Sequence, residues 1–194
     1  MKIIYTFFCC INLIFASEIN LNSTMPGNDL ALLNIDGEKL SLNDIKGDKG
    51  TLVIFSSNTC PWVIRWEDRY VKLASKYTSQ GIGMVAINSN SARFNESESL
   101  EKMKQHSKEK NYNFPYAQDK DSRLAKLFGA TKTPHIYLFD SNDELVYKGA
   151  IDDNARNSNQ VNESYLFNAI DEMLNGKTIS KPISKALGCS IKFN

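Results

Sequence analysis

Residues Thr51–Tyr70 read TLVIFSSNTCPWVIRWEDRY: an apolar run, a polar corner, one cysteine and an amphipathic stretch. The run TLVIF is short and β-branched, the pattern of a strand buried on both faces. From Pro61 to Tyr77 the apolar positions Trp62, Trp66, Tyr70, Leu73 and Tyr77 recur at helical steps, which predicts a helix lying on a sheet. Pro61 suits the first helical turn because it has no N–H to orphan. Cys60 is then the predicted N-cap, its sulfur near free amides and the positive end of the helix dipole. Such a setting favours thiolate over thiol and makes Cys60 the candidate nucleophile. The plainer alternative is a small cysteine packed at a strand end.

On both sides of this corner strands alternate with helices. Upstream, LALLNIDGEKLSL (30–42) holds two short apolar runs joined by Asp36-Gly37, a hairpin signal. Downstream, GIGMVAINSN (81–90) is a second buried strand, residues 96–110 form a polar helix, and NFPYAQDKDSRLAKLFGA (113–130) gives an extended piece and a helix stopped by Gly129. PHIYLFD and ELVYKGA form an antiparallel hairpin, and VNESYLFNAIDEMLNG (161–176) is a helix closed by Gly176. The tail KTISKPISKALGCSIKFN (177–194) has no clear period. The result is an α/β fold with a mixed sheet, and right-handed crossovers place Cys60 at the carboxyl end of the first buried strand.

The chain has 194 residues and a formal net charge of +1, which offers no argument for a nucleic-acid partner or electrostatic membrane attachment. The first residues, MKIIYTFFCCINLIFA (1–16), carry one early lysine and an apolar run too short to span a bilayer comfortably. They predict a cleaved signal peptide, hence export to a periplasmic or secreted location without stable membrane insertion. Residues 17–28 are polar and are expected to form a loose arm; 29–176 form the domain and 177–194 the tail. Removing the leader leaves two of four cysteines, Cys60 and Cys189, enough for one disulfide in an oxidising compartment. The stretch from Gly176 to Cys189 reaches at most roughly 40 Å, so a Cys60–Cys189 bond is permitted, while a buried or free Cys189 is equally compatible. Two histidines and two distant cysteines give no zinc spacing. His106 reads as solvated, and His135 as either structural or a base near the cysteine.

LVIFSSNTCPWVIRWEDRYVKLASKY, GMVAINSN, FPYAQDKDSRLAKLFGATKTPHIYLFD, LVYKGAIDDN and GCSIKFN, in this order, resemble the peroxiredoxin-like redoxins (AhpC/TSA type) of the thioredoxin-like superfamily. The resemblance implies a thioredoxin-like fold: a central mixed sheet flanked by helices, with an N-terminal hairpin extension and a C-terminal tail. It implies a thiol-based oxidoreductase without a cofactor, acting on a peroxide or a disulfide and recycled by a thiol reductant, with antioxidant peroxide reduction as the first expectation. Cys60 takes the attacking position and Cys189 that of a candidate resolving thiol. Thr133-Pro134 matches the cis-proline loop that faces the reactive cysteine, and Ser57 matches the hydroxyl that helps bind peroxide. Trp62, Pro61 and His135 are the candidate substrate contacts. The chain also departs from the pattern: Val63 stands where a C-x-x-C motif has its second sulfur, Lys132 where many relatives carry a cysteine before the TP pair, and Val53 where the peroxidase motif has its proline. Arg65 and Arg123 are candidates for a peroxide-orienting arginine. A binding protein that kept the fold and lost turnover is the remaining class.

Overall fold

The structure, a computed structural model, describes residues 17–194; the predicted signal peptide at residues 1–16 lies outside the described residues. Leu32–Asn34 (β1) and Lys39–Leu40 (β2) form a hairpin across Asp36-Gly37, with Gly37 at φ 93°. A one-turn helix, α1 (Leu42–Ile45), is closed at its start by a Ser41–Asp44 capping box. It leads into β3 (Gly50–Ser56), buried along its entire length. Helix α2 (Pro61–Tyr77) starts at the N-cap Cys60 with Pro61 in the first turn. Strand β4 (Ile82–Asn88) follows, then α3 (Leu100–Glu109), β5 (Tyr116–Gln118) and α4 (Arg123–Phe128). The remaining elements are β6 (Lys132–Thr133), β7 (His135–Asp140), β8 (Leu145–Gly149), α5 (Tyr165–Leu174) and β9 (Cys189–Ser190).

Seven strands make one sheet in the order β2-β1-β5-β4-β3-β7-β8. The pairs β3–β4 and β4–β5 are parallel; β3–β7 and β7–β8 are antiparallel. Alternation along β3 divides the core. Leu52 and Ile54 face Val63, Trp66, Tyr70 and Leu73 of α2 and Leu166 and Ile170 of α5. Val53 and Phe55 face Leu124 and Phe128 of α4, with Phe55 and Phe128 rings meeting edge-on at 5.3 Å. Helices thus cover both faces of the sheet, which explains why β3 reads as a continuous apolar run.

Two segments are more ordered than the sequence predicts. The arm expected to be loose is bonded to the body: Ile19 N–H donates to Phe128 O, Asn22 N–H to Leu145 O and Met25 N–H to Asp143 O. Met25 is buried, so the arm's scattered apolar residues anchor it despite its polar average. The tail runs beside β8, where Ile183 bridges to Lys148, and then pairs as β9 with β6 in a separate two-stranded ladder. His106 is also a correction. Its Nε2 lies 2.8 Å from Glu67 Oε2 and its side chain is 12% exposed, because α3 packs against α2 there. No helix among the described residues is long and apolar enough to cross a membrane.

Candidate active site

Cys60 sits where β3 hands over to α2, and it is 4% exposed. It lies at a cleft of about 320 Å³, together with Ser57, Thr59, Glu98, Thr133 and Cys189. Two other open clefts, of about 390 and 510 Å³, hold neither of these cysteines. In the thiol form Cys60 Sγ–H donates to Thr133 O at 2.9 Å. The Thr133–Pro134 peptide bond is cis. In the β6–β9 ladder Thr133 is the direct partner of Cys189, so the carbonyl that touches one thiol belongs to the residue paired with the other. Both thiols are free.

The two sulfurs are pushed in opposite directions. Burial pushes the Cys60 thiol up, but a hydrogen bond from the Cys189 thiol, the Thr133 side chain and the amides of Val63 and Cys189 outweigh it. Cys60 therefore ionises below the ordinary thiol value. Burial also raises Cys189, and its bond to Cys60 and the Cys60 charge add to this, placing it at about 11. The Trp62 amide and the Lys192 charge pull it the other way. The helix start thus acts through amides inside its first turn, and a large share of the thiolate's support comes from the second cysteine.

Ser57 makes bonds beyond the role its resemblance implies. Its Oγ donates to Glu98 Oε1 at 2.5 Å and accepts the Thr59 and Cys60 amides at 3.2 Å each. Those bonds occupy the hydroxyl in shaping the loop. Glu98 was invisible to sequence reasoning: it lies in the polar stretch NESES, and only the fold brings it to the cysteine. It is 1% exposed. Besides Ser57 it accepts Asn58 N–H at 2.9 Å, Thr59 Oγ1–H at 2.7 Å and Asn88 Nδ2–H at 2.6 Å.

The other candidates divide. Pro61 opens α2, and Trp62 is half-buried beside the cysteines, its amide on Cys189. His135 is a correction. Its ring lies on the opposite sheet face from Cys60, with Nε2 3.1 Å from Glu18 and Nδ1 3.2 Å from the Tyr137 hydroxyl. Along β7, Ile136 packs in the Cys60 core and Tyr137 in the other, so period-two alternation puts His135 with Tyr137. Arg65 stacks over Trp62 at 5.3 Å, and Arg123 begins α4, which packs on the other face; neither lines the cleft. The arginine that does is Arg93, paired with Glu96 at 2.6 Å. Among the described residues no group of three or more His, Cys, Asp or Glu side chains could hold a metal ion.

Known proteins resemble this chain along most of its length. The structure of an uncharacterized conserved protein from Geobacillus kaustophilus matches with a TM-score of 0.83 and 36% identity, covering 90% of this chain and 93% of that one. The thioredoxin domain of a thiol-disulfide oxidoreductase from Bacteroides vulgatus matches with a TM-score of 0.62 at 22% identity, over 81% of this chain and all of that one, and shows a thioredoxin-like fold. In sequence, the thiol-disulfide oxidoreductase ResA of Bacillus cereus is 23% identical over 132 residues, 68% of this chain and 72% of that protein. The AhpC/TSA family model matches residues 23–148, a span that holds Cys60, Ser57 and Pro134 and ends before Cys189. With a thioredoxin-like sheet, a cysteine at the β3–α2 corner and that match over most of its length, the chain belongs to the AhpC/TSA family.

Proposed function

We propose that the protein is a two-cysteine thiol oxidoreductase that reduces disulfides, with Cys60 as nucleophile and Cys189 as resolving thiol. The observation that carries this reading is the pairing of Cys189 with Thr133, whose carbonyl contacts Cys60 Sγ at 2.9 Å. The thiolate of Cys60 attacks one sulfur of a substrate disulfide, forming a Cys60–substrate bond and releasing the other sulfur as a thiolate, which takes a proton from solvent. Cys60 then carries no charge, so two of the influences that hold Cys189 protonated are gone. The Trp62 amide and Lys192 remain to favour its thiolate. That thiolate attacks Cys60 Sγ, closes a Cys60–Cys189 disulfide and expels the second substrate sulfur. A dithiol reductant returns the pair to its starting state. Export, the reading of residues 1–16, would place this pair in an oxidising compartment.

Occupation of Ser57 by Glu98 and the two amides favours disulfide over peroxide as substrate. Peroxide reduction stays as a second reading on one observation: a cysteine only 4% exposed, at a cleft of about 320 Å³, suits a small oxidant. In that case Cys60 becomes a sulfenic acid as the peroxide bond breaks, and Cys189 condenses with it, releasing water. The test is to mix reduced protein with 2-hydroxyethyl disulfide or with hydrogen peroxide under single-turnover conditions and map the cysteines. Disulfide reduction predicts rapid Cys60–Cys189 formation with the former and slow reaction with the latter; the reverse order establishes the peroxidase. No Cys60–Cys189 peptide with either oxidant sinks the two-cysteine reading.

A further inference from the structure

We propose that Glu98 is a positioning residue for Cys60, fixing the nucleophile's loop through the Ser57 hydroxyl; this rests on the reading of Cys60 as the attacking sulfur. The carboxyl group comes from the segment between β4 and α3, far in sequence from the loop it holds. Four donors converge on its two oxygens: the Ser57 and Thr59 hydroxyls on Oε1, and the Asn58 amide and Asn88 Nδ2 on Oε2. Only an acceptor-only group meets all four at once.

The Ser57 oxygen makes the link to the cysteine. Because its proton is committed to Glu98, its lone pairs are turned toward the Thr59 and Cys60 amides. Those two bonds set the backbone immediately before α2 and so decide where Cys60 Sγ points. With the loop so held, Sγ reaches Thr133 O, Cys189 and the Val63 amide. Asn88 reinforces the clamp, since its Oδ1 is engaged by the Asn90 amide and side chain and its Nδ2 is thereby directed at Glu98.

Glutamine in this place keeps the volume but not the polarity. The Asn58 amide can only donate, and Asn88 is held as a donor, so the Gln carbonyl must take the Oε2 side. Its NH₂ then faces Ser57, whose oxygen already accepts two amides and whose proton loses its acceptor. The buried hydroxyl is left unsatisfied and the loop relaxes.

The test compares Glu98→Gln, Ser57→Ala, their double variant and Thr59→Val in the full chain. Alkylation of Cys60 by iodoacetamide is followed against pH, with peptide mapping to isolate that site. Positioning predicts that Glu98→Gln and Ser57→Ala each move the midpoint upward, by about one pH unit, or about tenfold in rate at neutral pH. The double variant should go no further than the larger single change, and Thr59→Val should move it much less. An unchanged midpoint overturns the proposal, as does a lower one, which is what removal of a nearby negative charge would give by itself. Additive effects in the double variant also overturn it. If Glu98→Gln does not fold, the contrast between Ser57→Ala and Thr59→Val decides alone. Wild-type protein that ignores 2-hydroxyethyl disulfide while the alkylation shifts still appear would remove the proposed activity and leave the positioning role standing.

Discussion

Cys189 stands directly across the β6–β9 ladder from Thr133, whose carbonyl oxygen receives the Cys60 thiol at 2.9 Å. The second sulfur that the helix lacks at Val63 is thus delivered from the far end of the chain. One consequence is the fate of the substrate when it is missing. In Cys189→Ser, Cys60 should still attack a small disulfide but should then stall as a stable mixed disulfide, detected as an added mass on the Cys60 peptide. Cys60→Ser should acquire no such adduct at neutral pH. Rapid release of substrate from Cys189→Ser would show that some other thiol resolves it.

The ionisation of Cys60 depends on its neighbour. A thiol with a lowered pKa is already nucleophilic at pH values where a free cysteine is still protonated, so its alkylation midpoint should lie below 9.0. Cys189→Ala removes a donor to the thiolate and should raise that midpoint. Cys189 itself should alkylate with a midpoint of about 11 in the reduced protein. Iodoacetamide kinetics between pH 5 and roughly 12, resolved by peptide, checks these directions.

Gly188 is the residue that lets the tail come this close. A Cβ there would stand 2.3 Å from Thr133 O and 2.7 Å from its carbonyl carbon. Gly188→Ala should therefore displace β9 while leaving the rest of the fold intact. Closure of the Cys60–Cys189 bond should slow by about 10–100-fold, since small misplacements of reacting atoms carry penalties of that size. Quenched-flow trapping of the disulfide measures it.

Glu67, 5% exposed on α2, is held by His106 and Lys110, whose bonds and charges outweigh its burial and keep its carboxyl below the usual 4.5. A depressed carboxyl contributes stability that is complete above about pH 4.5 and disappears as pH falls through the lower folded-state value. Glu67→Gln should thus be clearly less stable than wild type at pH 7, with the gap narrowing in acid. His106→Ala should cost about 1–3 kcal/mol at neutral pH by leaving the buried carboxylate short of a partner. Urea titrations at both pH values read this.

Asp152, in the IDDN segment, accepts Trp66 Nε1–H at 2.7 Å and Arg69 Nε–H at 3.0 Å, and both it and Arg69 are buried. Asp152→Ala leaves the Trp66 and Arg69 Nε–H donors unpaired while the Arg69 guanidinium keeps Asp68, Arg65 O and Asn154 O, and should destabilise the protein by about 1–3 kcal/mol, measured by denaturant unfolding.

Local pattern made the corner readable: TLVIF, Pro61 and the spacing of Trp66, Tyr70 and Leu73 each point to strand, helix start and buried face, and these are short-range properties. Cys189 could be reached by arithmetic, because removing the predicted leader leaves few sulfurs. Glu98 could not, since its bonds to Ser57, Asn58 and Thr59 join residues some forty positions apart and leave no periodic trace. Proximity to Pro134 makes His135 a candidate substrate contact, while alternation along PHIYLFD places it on the face away from Ile136 and leaves the structural alternative. The arm at 17–28 looked loose because average polarity hides single anchors such as Met25.

The β6–β9 ladder also gives oxidation a mechanical meaning. A bond between Cys60 and Cys189 would rivet the last strand to the front of α2, enclosing β4 to β8 and every later helix in one covalent ring. A ring that large removes roughly 5 kcal/mol worth of freedom from the unfolded chain. The spent enzyme would then be its sturdiest form, and each reductive recharge would loosen it again.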